Sequence, residues 1–190
     1  DLLHLRDMTI AVTAKANMAK TGLPPIVARL NAVIDRGNNR KLFQCTLDEI
    51  RLMNPSQTDT GSSPERYAPT GYMEVQYQPE HAGGLWISST SASDTTQTAY
   101  VQSVTTGGYQ YADSKALAGL ARRQIGATAT RTDHVEVTRF YLSAAGVGYV
   151  SLWDASAGGN ELARLEPGKT FARYQSVEWH PIQSADVTLY

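Results

Sequence analysis

The stretch "GYVSLWDASAGGNELARLEPGKTFARYQSVEW", residues 148–179, decides the fold class. Its segments "GYVSLW" and "TFARYQSVEW" carry the β-branched and aromatic residues that strands prefer, and turn-forming residues separate them. Within one of these turns, Pro167 and Gly168 fit the two central positions of a type II turn. Short strands separated by turn signals roughly every 8–12 residues are typical of a β-sandwich.

The same pattern extends back to Leu85. The strand-like segments there are "LWISS", "TAYVQSV" and "DHVEVTRFYLS". In the last of them the apolar phase slips, which predicts a β-bulge near Thr138 and Arg139. The segment "SKALAGLARRQIGA" has some helical periodicity, but Gly119 and the neighbouring strands favour sheet or loop. The second half of the chain is therefore predicted to be a β-sandwich.

The N-terminal part mixes strand and helix signals. Alternation in "MTIAV" predicts a strand, and "RKLFQCT" predicts another short one. Between them, Pro24–Arg36 is predicted to be the one strong helix, with prolines in its first turn and an apolar stripe that contains Ile26 and Leu30. Thr46 and Glu49 have the spacing of a capping box, which predicts a short helix after the second strand.

Residues 54–71, "NPSQTDTGSSPERYAPTG", look like a linker until Tyr67. A disordered linker requires no aromatic residue, whereas a loop that is fixed against a sheet does. The following segment, "YMEVQYQP", alternates and predicts a strand with Met73, Val75 and Tyr77 on one face. We therefore expect Tyr67 to be mostly buried and to pack near that strand.

The net charge, the cysteine count and the length of the apolar stretches argue against several classes of protein. The formal net charge of −1 gives no general attraction to nucleic acid, although residues 1–41 hold seven basic and three acidic residues. The single cysteine, Cys45, rules out an intramolecular disulfide framework and a cysteine-based zinc cluster, and we expect it to be a core thiol. No stretch approaches the ~18 consecutive apolar residues of a transmembrane helix.

No motif for catalysis or metal binding stands out. The four histidines, His4, His81, His134 and His180, are scattered, and none has a metal-binding partner at the usual spacing. The segment "WDASAGGNE" lacks the alternating ligands of a calcium loop and is expected to be a hairpin turn. We therefore expect that the protein is not an enzyme and holds no metal and no cofactor.

The order of segments in the first half resembles that of a known family. A strand "LLHLRDMTIAV" is followed by "RKLFQCTLDEIRLMNPSQTDTGSSPERYAPTG" and then by the strand "YMEVQYQP", as in the head–tail adaptor (neck connector) proteins of tailed bacteriophages. The second half looks like an immunoglobulin-like sandwich inserted into such an adaptor. The positions that match the family pattern are Arg40, Lys41, Leu42, Leu47, Asp48, Glu49, Pro55, Thr60, Gly61, Pro64, Tyr67 and Pro79. Among them, Pro64 would stiffen its loop and Tyr67 would anchor that loop to the sheet.

This resemblance implies a mainly β fold with one or two helices. A small adaptor-like domain would comprise residues 1–80, with residues 176–190 returning to it, and the immunoglobulin-like sandwich would comprise residues 81–175. The protein would be a structural component of the virion, made in the host cytoplasm, that forms a ring of about twelve copies between portal and tail. Its partners would be its own copies, the portal and the tail or neck proteins. It would contact no membrane, and nucleic acid would meet it only while passing through the ring.

The candidate interface residues lie in the first of these domains. Ile26 and Leu30 would supply an apolar centre on the predicted helix. Arg29, Arg36, Arg40 and Lys41 would form a basic rim around it, so that the helix docks on a neighbouring subunit or another virion protein. The alternative, in which this helix is buried wholly within its own subunit, stays open.

The three tryptophans leave other functions open. Trp86, Trp153 and Trp179 each lie in a strand-like segment, where a place in the sandwich core is the default. If they cluster on the surface instead, they favour a capsid decoration, baseplate or adhesion protein with a carbohydrate-binding sandwich. A hydrolase would require a pocket that brings serine, histidine and aspartate together with perturbed pKa values.

Overall fold

The computed structural model of the chain describes residues 9–14, 20–24, 27, 30–53, 55, 64–126, 131–180 and 185–189. This part contains a single helix, α1 (Leu47–Met53), which confirms the predicted mainly β fold with a short helix. No described helix is long and apolar enough to cross a membrane. The strands in chain order are β1 (Ile10–Ala14), β2 (Lys20–Gly22), β3 (Val33–Asp35), β4 (Arg40–Lys41), β5 (Phe43–Gln44), β6 (Arg66–Met73), β7 (Trp86–Ser89), β8 (Thr98–Thr105), β9 (Gln110–Ala116), β10 (Arg123–Gln124), β11 (His134–Leu142), β12 (Val150–Trp153), β13 (Glu161–Leu165), β14 (Tyr174–His180) and β15 (Ala185–Leu189).

The chain divides into two compact units. The first comprises residues 1–71 and 175–190, and the second comprises residues 72–174. The chain leaves the first unit at the end of β6 and returns to it in β14, and these two strands are neighbours in one sheet. The second unit is therefore an insertion between adjacent strands of the first. Whereas the sequence placed the boundary after residue 80, this division assigns residues 72–80 to the second unit.

The described residues of the first unit form two four-stranded sheets. One has the order β1-β15-β3-β4 and the other the order β2-β14-β6-β5. The chain passes from one sheet to the other at Leu42, which lies between the edge strands β4 and β5. The Leu42 amide still bonds to the first sheet, since it donates a hydrogen bond to the Val33 carbonyl on β3, 2.8 Å away. The β5–β6 pair is parallel. The core of this unit consists of Val12, Leu23, Val33, Leu42, Tyr67, Val177 and Trp179.

The predicted helix over Pro24–Arg36 is wrong. No described residue of this range is helical, and its last part forms β3, which pairs with β15 on one side and with β4 on the other. The β-branched Val33 and Ile34 suit a strand, and pairing with two strands satisfies the backbone groups that a helix would satisfy locally. Long-range pairing therefore outweighs the local helical pattern of this segment.

The short helix after β5 is confirmed together with its cap. The Thr46 amide donates a hydrogen bond to the Glu49 carboxylate at 2.7 Å, and the Glu49 amide donates one to the Thr46 hydroxyl at 3.2 Å. This reciprocal pair is the capping box that the spacing predicts. The hydrogen bonds from Thr46 also lower the pKa of Glu49. On the inner side of α1, Ile50 is buried.

Tyr67 is buried, as predicted, but its neighbours differ from those predicted. Its ring centroid lies 6.4 Å from that of Trp179, within the core of the first unit. Met73, Val75 and Tyr77 pack instead in the core of the second unit. Tyr72 and Met73, the first two residues of "YMEVQYQP", form the end of β6, whereas residues 74–79 form no strand, so the predicted strand is wrong over most of its length. The alternation of apolar and polar residues in this segment nevertheless predicted correctly that Met73, Val75 and Tyr77 pack in a core.

The second unit is a sandwich of two antiparallel sheets. One has the order β10-β7-β12-β13 and the other the order β11-β8-β9. A division into four and three strands is also found in constant immunoglobulin domains, but there the first, second, fourth and fifth strands form the larger sheet. Here the larger sheet contains the first, fourth, sixth and seventh strands of the unit. The core between the sheets consists of Val75, Leu85, Ile87, Ala99, Val101, Leu117, Ile125, Val137, Phe140, Leu142, Val150, Leu152, Leu162, Ala163, Leu165 and Tyr174.

Three local predictions for this unit are confirmed. The register between β11 and β8 shifts between Val137 and Arg139, at the predicted bulge. Gly168 has a φ of 78°, and the Lys169 amide donates a hydrogen bond to the Glu166 carbonyl at 3.0 Å, as in a type II turn. The described part of "SKALAGLARRQIGA" consists of the end of β9, a loop and β10.

A side chain takes the place of a strand beside the bulge. The Val137 amide donates a hydrogen bond to Oε1 of Gln78 at 2.7 Å, and Nε2 of Gln78 donates one to the Val137 carbonyl at 3.0 Å. These are the two bonds that the N–H and C=O groups of a directly opposite residue on an antiparallel strand would make. The loop after β6 is therefore attached to β11 by a side-chain amide.

Candidate functional site

The predicted basic rim of the first unit lies on the hairpin of β3 and β4. Arg36 is exposed in the turn between these strands, and Lys41 is exposed on β4. Arg40 forms an ion pair with Glu65 at 3.0 Å and donates a hydrogen bond to the Pro64 carbonyl at 3.2 Å. Arg29, the fourth basic residue predicted for the rim, lies outside the described residues. Arg36 and Lys41 therefore face solvent, while Arg40 holds its hairpin to the start of β6.

The turn of this hairpin is fixed by Asp35. The buried Asp35 carboxylate accepts hydrogen bonds from the Gly37 amide at 3.0 Å and from the side-chain amide of Asn38 at 2.7 Å. Asn39 has a φ of 49°, a left-handed conformation that asparagine tolerates. Arg36 is therefore presented from an ordered turn.

The predicted apolar contacts of the first unit mostly face its interior. Pro64 and Tyr67 are buried, and the half-buried Leu30 packs against the core of the unit. Ile26 lies outside the described residues. Leu30 therefore packs within its own subunit, although not on the helix that both interpretations of the sequence assumed.

Three other large apolar residues of the first unit are exposed, and the sequence analysis missed them. The exposed fractions are 69% for Phe43, 81% for Leu52 and 41% for Met53. We call these three residues, on the chain from β5 to the end of α1, the β5–α1 surface. The sequence does indicate that one residue of the pair Leu42 and Phe43 is exposed. Adjacent side chains of an extended chain point to opposite faces, so only one of the two can enter the core.

The tryptophans do not form a common platform. Trp179 is buried in the core of the first unit, whereas Trp86 and Trp153 are half-buried, directly paired residues of β7 and β12 in the second. The indole N–H of Trp153 donates a hydrogen bond to the Ser88 hydroxyl at 3.0 Å. The guanidinium of Arg122 lies 4.0 Å from the centre of the Trp153 ring and covers that face of it. A sugar ring could not stack on the covered face.

Asp94 organises the loops at one end of the sandwich. Its buried carboxylate accepts hydrogen bonds from the Ser89 hydroxyl at 2.5 Å and from the amides of Val147 and Gly148 at 2.7 and 3.0 Å. The Asp94 carbonyl accepts a further bond from the Gly119 amide at 2.8 Å. Burial raises the pKa of Asp94, but the bonds from Ser89 and the two amides outweigh this effect and hold the pKa below its ordinary value.

A buried polar cluster lies toward the opposite end of β8. Nδ1 of His134 is 2.8 Å from the Ser103 hydroxyl oxygen, and both residues are buried. Nε2 of His134 and Oδ2 of Asp113 are buried atoms that have no hydrogen-bond partner among the described residues. The three residues are those of a hydrolase triad, but the Ser103 hydroxyl is not accessible to a substrate in this arrangement.

The remaining reactive groups suggest no further site. Within the part of the chain that the structure describes, no group of three or more His, Cys, Asp and Glu residues is placed to hold a metal ion. Cys45 is half-buried, and its sulfur lies 3.6 Å from the Tyr67 carbonyl oxygen. Burial raises the pKa of the Cys45 thiol, which disfavours the reactive thiolate.

Comparison with protein-family models, curated proteins and solved structures finds no significant match to this chain. Its function is therefore inferred from its own residues, above all from the insertion of the second unit and from the β5–α1 surface.

Proposed function

We propose that the protein is a structural virion component, a head–tail adaptor subunit that assembles into a ring in the neck of a tailed bacteriophage. The observation that carries the proposal is the insertion of residues 72–174 between the adjacent strands β6 and β14. The resemblance of the sequence to adaptors implies this arrangement, in which a sandwich is inserted into a small β-rich domain. The first unit has two sheets and a core of its own, and in this proposal the assembly contacts would lie on this unit.

The β5–α1 surface supports a contact between subunits. Single exposed apolar residues are common on monomers, but Phe43, Leu52 and Met53 lie within one short length of chain. Aromatic residues and methionine are enriched at protein interfaces, where burying apolar area contributes roughly 25 cal/mol per Å². In a ring, one face of each subunit meets a different face of its neighbour. This surface would therefore lie against a different part of the next copy.

The other expected partners follow from the position of such a ring. By family resemblance about twelve copies would surround the channel, with the portal on one side and tail or neck proteins on the other. Rings of this kind often assemble only on a template, so isolated subunits would be monomeric. The exposed Arg36 and Lys41 would meet an acidic part of a neighbouring protein.

Replacing Phe43 with serine should strongly reduce the amount of the protein that enters particles. The substitution removes a largely exposed aromatic side chain, so we expect the stability of the subunit to be unchanged while its contact with a neighbour is lost. The measurement is the amount of the protein in particles purified from the producing cells, determined by immunoblot. We expect a decrease of at least about tenfold, since one interface anchor contributes more than about 1.4 kcal/mol.

The matched control is Tyr109→Ser in the sandwich. Tyr109 is 68% exposed and Phe43 is 69% exposed, so both variants remove an aromatic residue of nearly equal exposure. Tyr109→Ser should enter particles normally. Equal incorporation of both variants would contradict the role of the β5–α1 surface, and absence of the unmodified protein from the particles would contradict the proposed function itself.

A further inference from the structure

The buried His134 connects three parts of the sandwich. Its imidazole bonds to Ser103 on β8, as described above. Its amide donates a hydrogen bond to the Gly83 carbonyl at 3.1 Å, and its carbonyl accepts one from the Gly83 amide at 3.1 Å. The preceding carbonyl, that of Asp133, accepts a bond from the Thr106 amide at 3.0 Å. His134 therefore holds the start of β11 to the end of β8 and to the segment before β7.

The imidazole of His134 is suited to its neutral form. A neutral ring has one N–H donor and one acceptor nitrogen, whereas an imidazolium has two N–H donors. The bond to Ser103 satisfies Nδ1, but Nε2 is buried and has no hydrogen-bond partner among the described residues. A proton taken up here would place a charge out of contact with water and leave one charged donor without an acceptor.

The charged groups nearest to His134 would stabilise its protonated form only in part. Asp113 lies on β9, and Asp133 and Arg131 lie in the segment before β11. Nε of Arg131 is 3.9 Å from the Asp113 carboxylate, and Nη1 of Arg131 is 4.0 Å from that of Asp133. Both carboxylates therefore already face a cation. Burial lowers the pKa of His134, Asp113 and Asp133 oppose this effect, and the pKa stays below its ordinary value.

Two further titratable groups of β9 are engaged elsewhere. The ammonium of Lys115 donates a hydrogen bond to the Gly126 carbonyl at 3.1 Å. The ring of Tyr111 lies 3.4 Å below the guanidinium of Arg131, measured to the ring centre. Lys115 has no acceptor atom, and neither side chain is hydrogen-bonded to Nε2 of His134.

We propose that His134 and Ser103 form an acid-sensitive latch in the sandwich. At neutral pH the uncharged imidazole holds β11, β8 and the Gly83 segment together. When His134 takes up a proton from solvent, the closed arrangement becomes less favourable than one in which this end has opened and the imidazolium is hydrated. The latch is a property of the second unit alone and does not depend on the proposed role in the virion.

The direction of the pH effect follows from linkage. The open form takes up a proton near the ordinary pKa of 6.5, whereas the closed form does so only at lower pH. The stabilisation is therefore fully present above pH 6.5, is lost as the pH falls below that value, and levels off below the pKa of the closed form. One pH unit below 6.5, the open population should rise by up to about tenfold.

Native-state hydrogen exchange of the full chain at pH 7.5 and pH 5.5 tests this proposal. The reporting amides are those of Gly83 and Thr106, which donate to the carbonyls of His134 and Asp133. After correction for the intrinsic exchange rate, their opening should increase by up to about tenfold at the lower pH. The amides of Val147 and Gly148, which are bonded to Asp94 at the other end of β8, should not change.

Two variants separate His134 from the other histidines. In His134→Gln the side-chain amide can still bond Ser103 but does not titrate, so the opening of the Gly83 amide should be equal at both pH values. His81→Gln changes an exposed histidine of the same unit and should behave like the parent protein. If His134→Gln does not fold, a titration of the parent protein by NMR decides. A His134 midpoint at or above 6.5, or an unchanged pH response in His134→Gln, would overturn the proposal.

Discussion

The Asp94→Ala variant should be less stable than the parent protein by about 4 kcal/mol. The substitution removes the carboxylate that accepts hydrogen bonds from the Ser89 hydroxyl and from the amides of Val147 and Gly148. These donors are then left without their partner, and each unsatisfied buried group costs about 1–3 kcal/mol. Thermal and urea unfolding, followed by circular dichroism, measure the difference.

A second aspartate in the same unit provides the control. The half-buried Asp154 also fixes a turn, because its carboxylate accepts a hydrogen bond from the Asn160 amide at 2.6 Å. Water can replace this bond more readily than the bonds of Asp94, so Asp154→Ala should cost about 1 kcal/mol. Equal losses for the two variants would show that the buried network around Asp94 does not hold the loops.

The carboxylate of Asp94 also makes the stability of the sandwich decrease at acidic pH. Its pKa in the folded protein lies below the ordinary value of 3.8, so the unfolded chain binds this proton more readily. The resulting stabilisation is present above pH 3.8 and is lost as the pH falls from there through the folded pKa. In Asp94→Asn this part of the pH dependence should disappear. If the stabilities of the parent protein and of Asp94→Asn change with pH in the same way below pH 3.8, the account is contradicted.

Replacing Trp179 with alanine should destabilise the first unit by about 4 kcal/mol, as expected for truncation of a buried tryptophan. The indole packs near the ring of Tyr67, and its N–H donates a hydrogen bond to the Thr21 hydroxyl at 2.9 Å. The small core of this unit has few other large side chains to fill the cavity. Trp179→Phe keeps most of the apolar volume and loses mainly the hydrogen bond, so it should cost about 1–2 kcal/mol. Denaturant titration of both variants measures these differences.

Trp153 in the second unit provides the control for Trp179. It is also a strand tryptophan whose indole N–H has a hydroxyl partner, but it is only half-buried. Trp153→Ala should therefore cost clearly less than Trp179→Ala, at about 1–2 kcal/mol. If the order of the two losses were reversed, the assignment of Trp179 to a packed core would be wrong.

The features that the sequence predicted well depend on neighbouring residues. The capping box needs only Thr46 and Glu49, and the type II turn needs only Pro167 and Gly168. The bulge near Thr138 was visible because the side-chain period of a strand is fixed, so a slip in the apolar phase marks an extra residue. Such signals do not require knowledge of the partner strands.

The features that the sequence did not predict depend on distant partners. Residues 33–35 form a strand because β15, more than a hundred residues later in the chain, pairs with them. The segment after β6 has strand-like alternation, but Gln78 meets β11 through its side chain and no ladder forms. Local periodicity describes which side chains are buried, and pairing over long distances decides the backbone structure.

The polar sites could not be predicted from the sequence, for the same reason. Asp94 and Gly148 are 54 residues apart, and Ser103 and His134 are 31 residues apart. Only the order of strands in the sandwich brings these groups together. The exposure of Leu52 likewise depends on which side of α1 packs on the first unit. The candidate interface residues named from the sequence therefore lie in the same unit as the β5–α1 surface, but Phe43 was missing from them.

A low-resolution electron-microscopy image of the native particle, with the protein labelled by an antibody against the sandwich, tests the proposed function most directly. The account predicts that the label lies at the junction of head and tail, in a ring around the axis of the tail. The ring should be made of copies related by rotation, with one face of each copy meeting a different face of the next. Label in dimers or in scattered single copies away from any symmetry axis would contradict it.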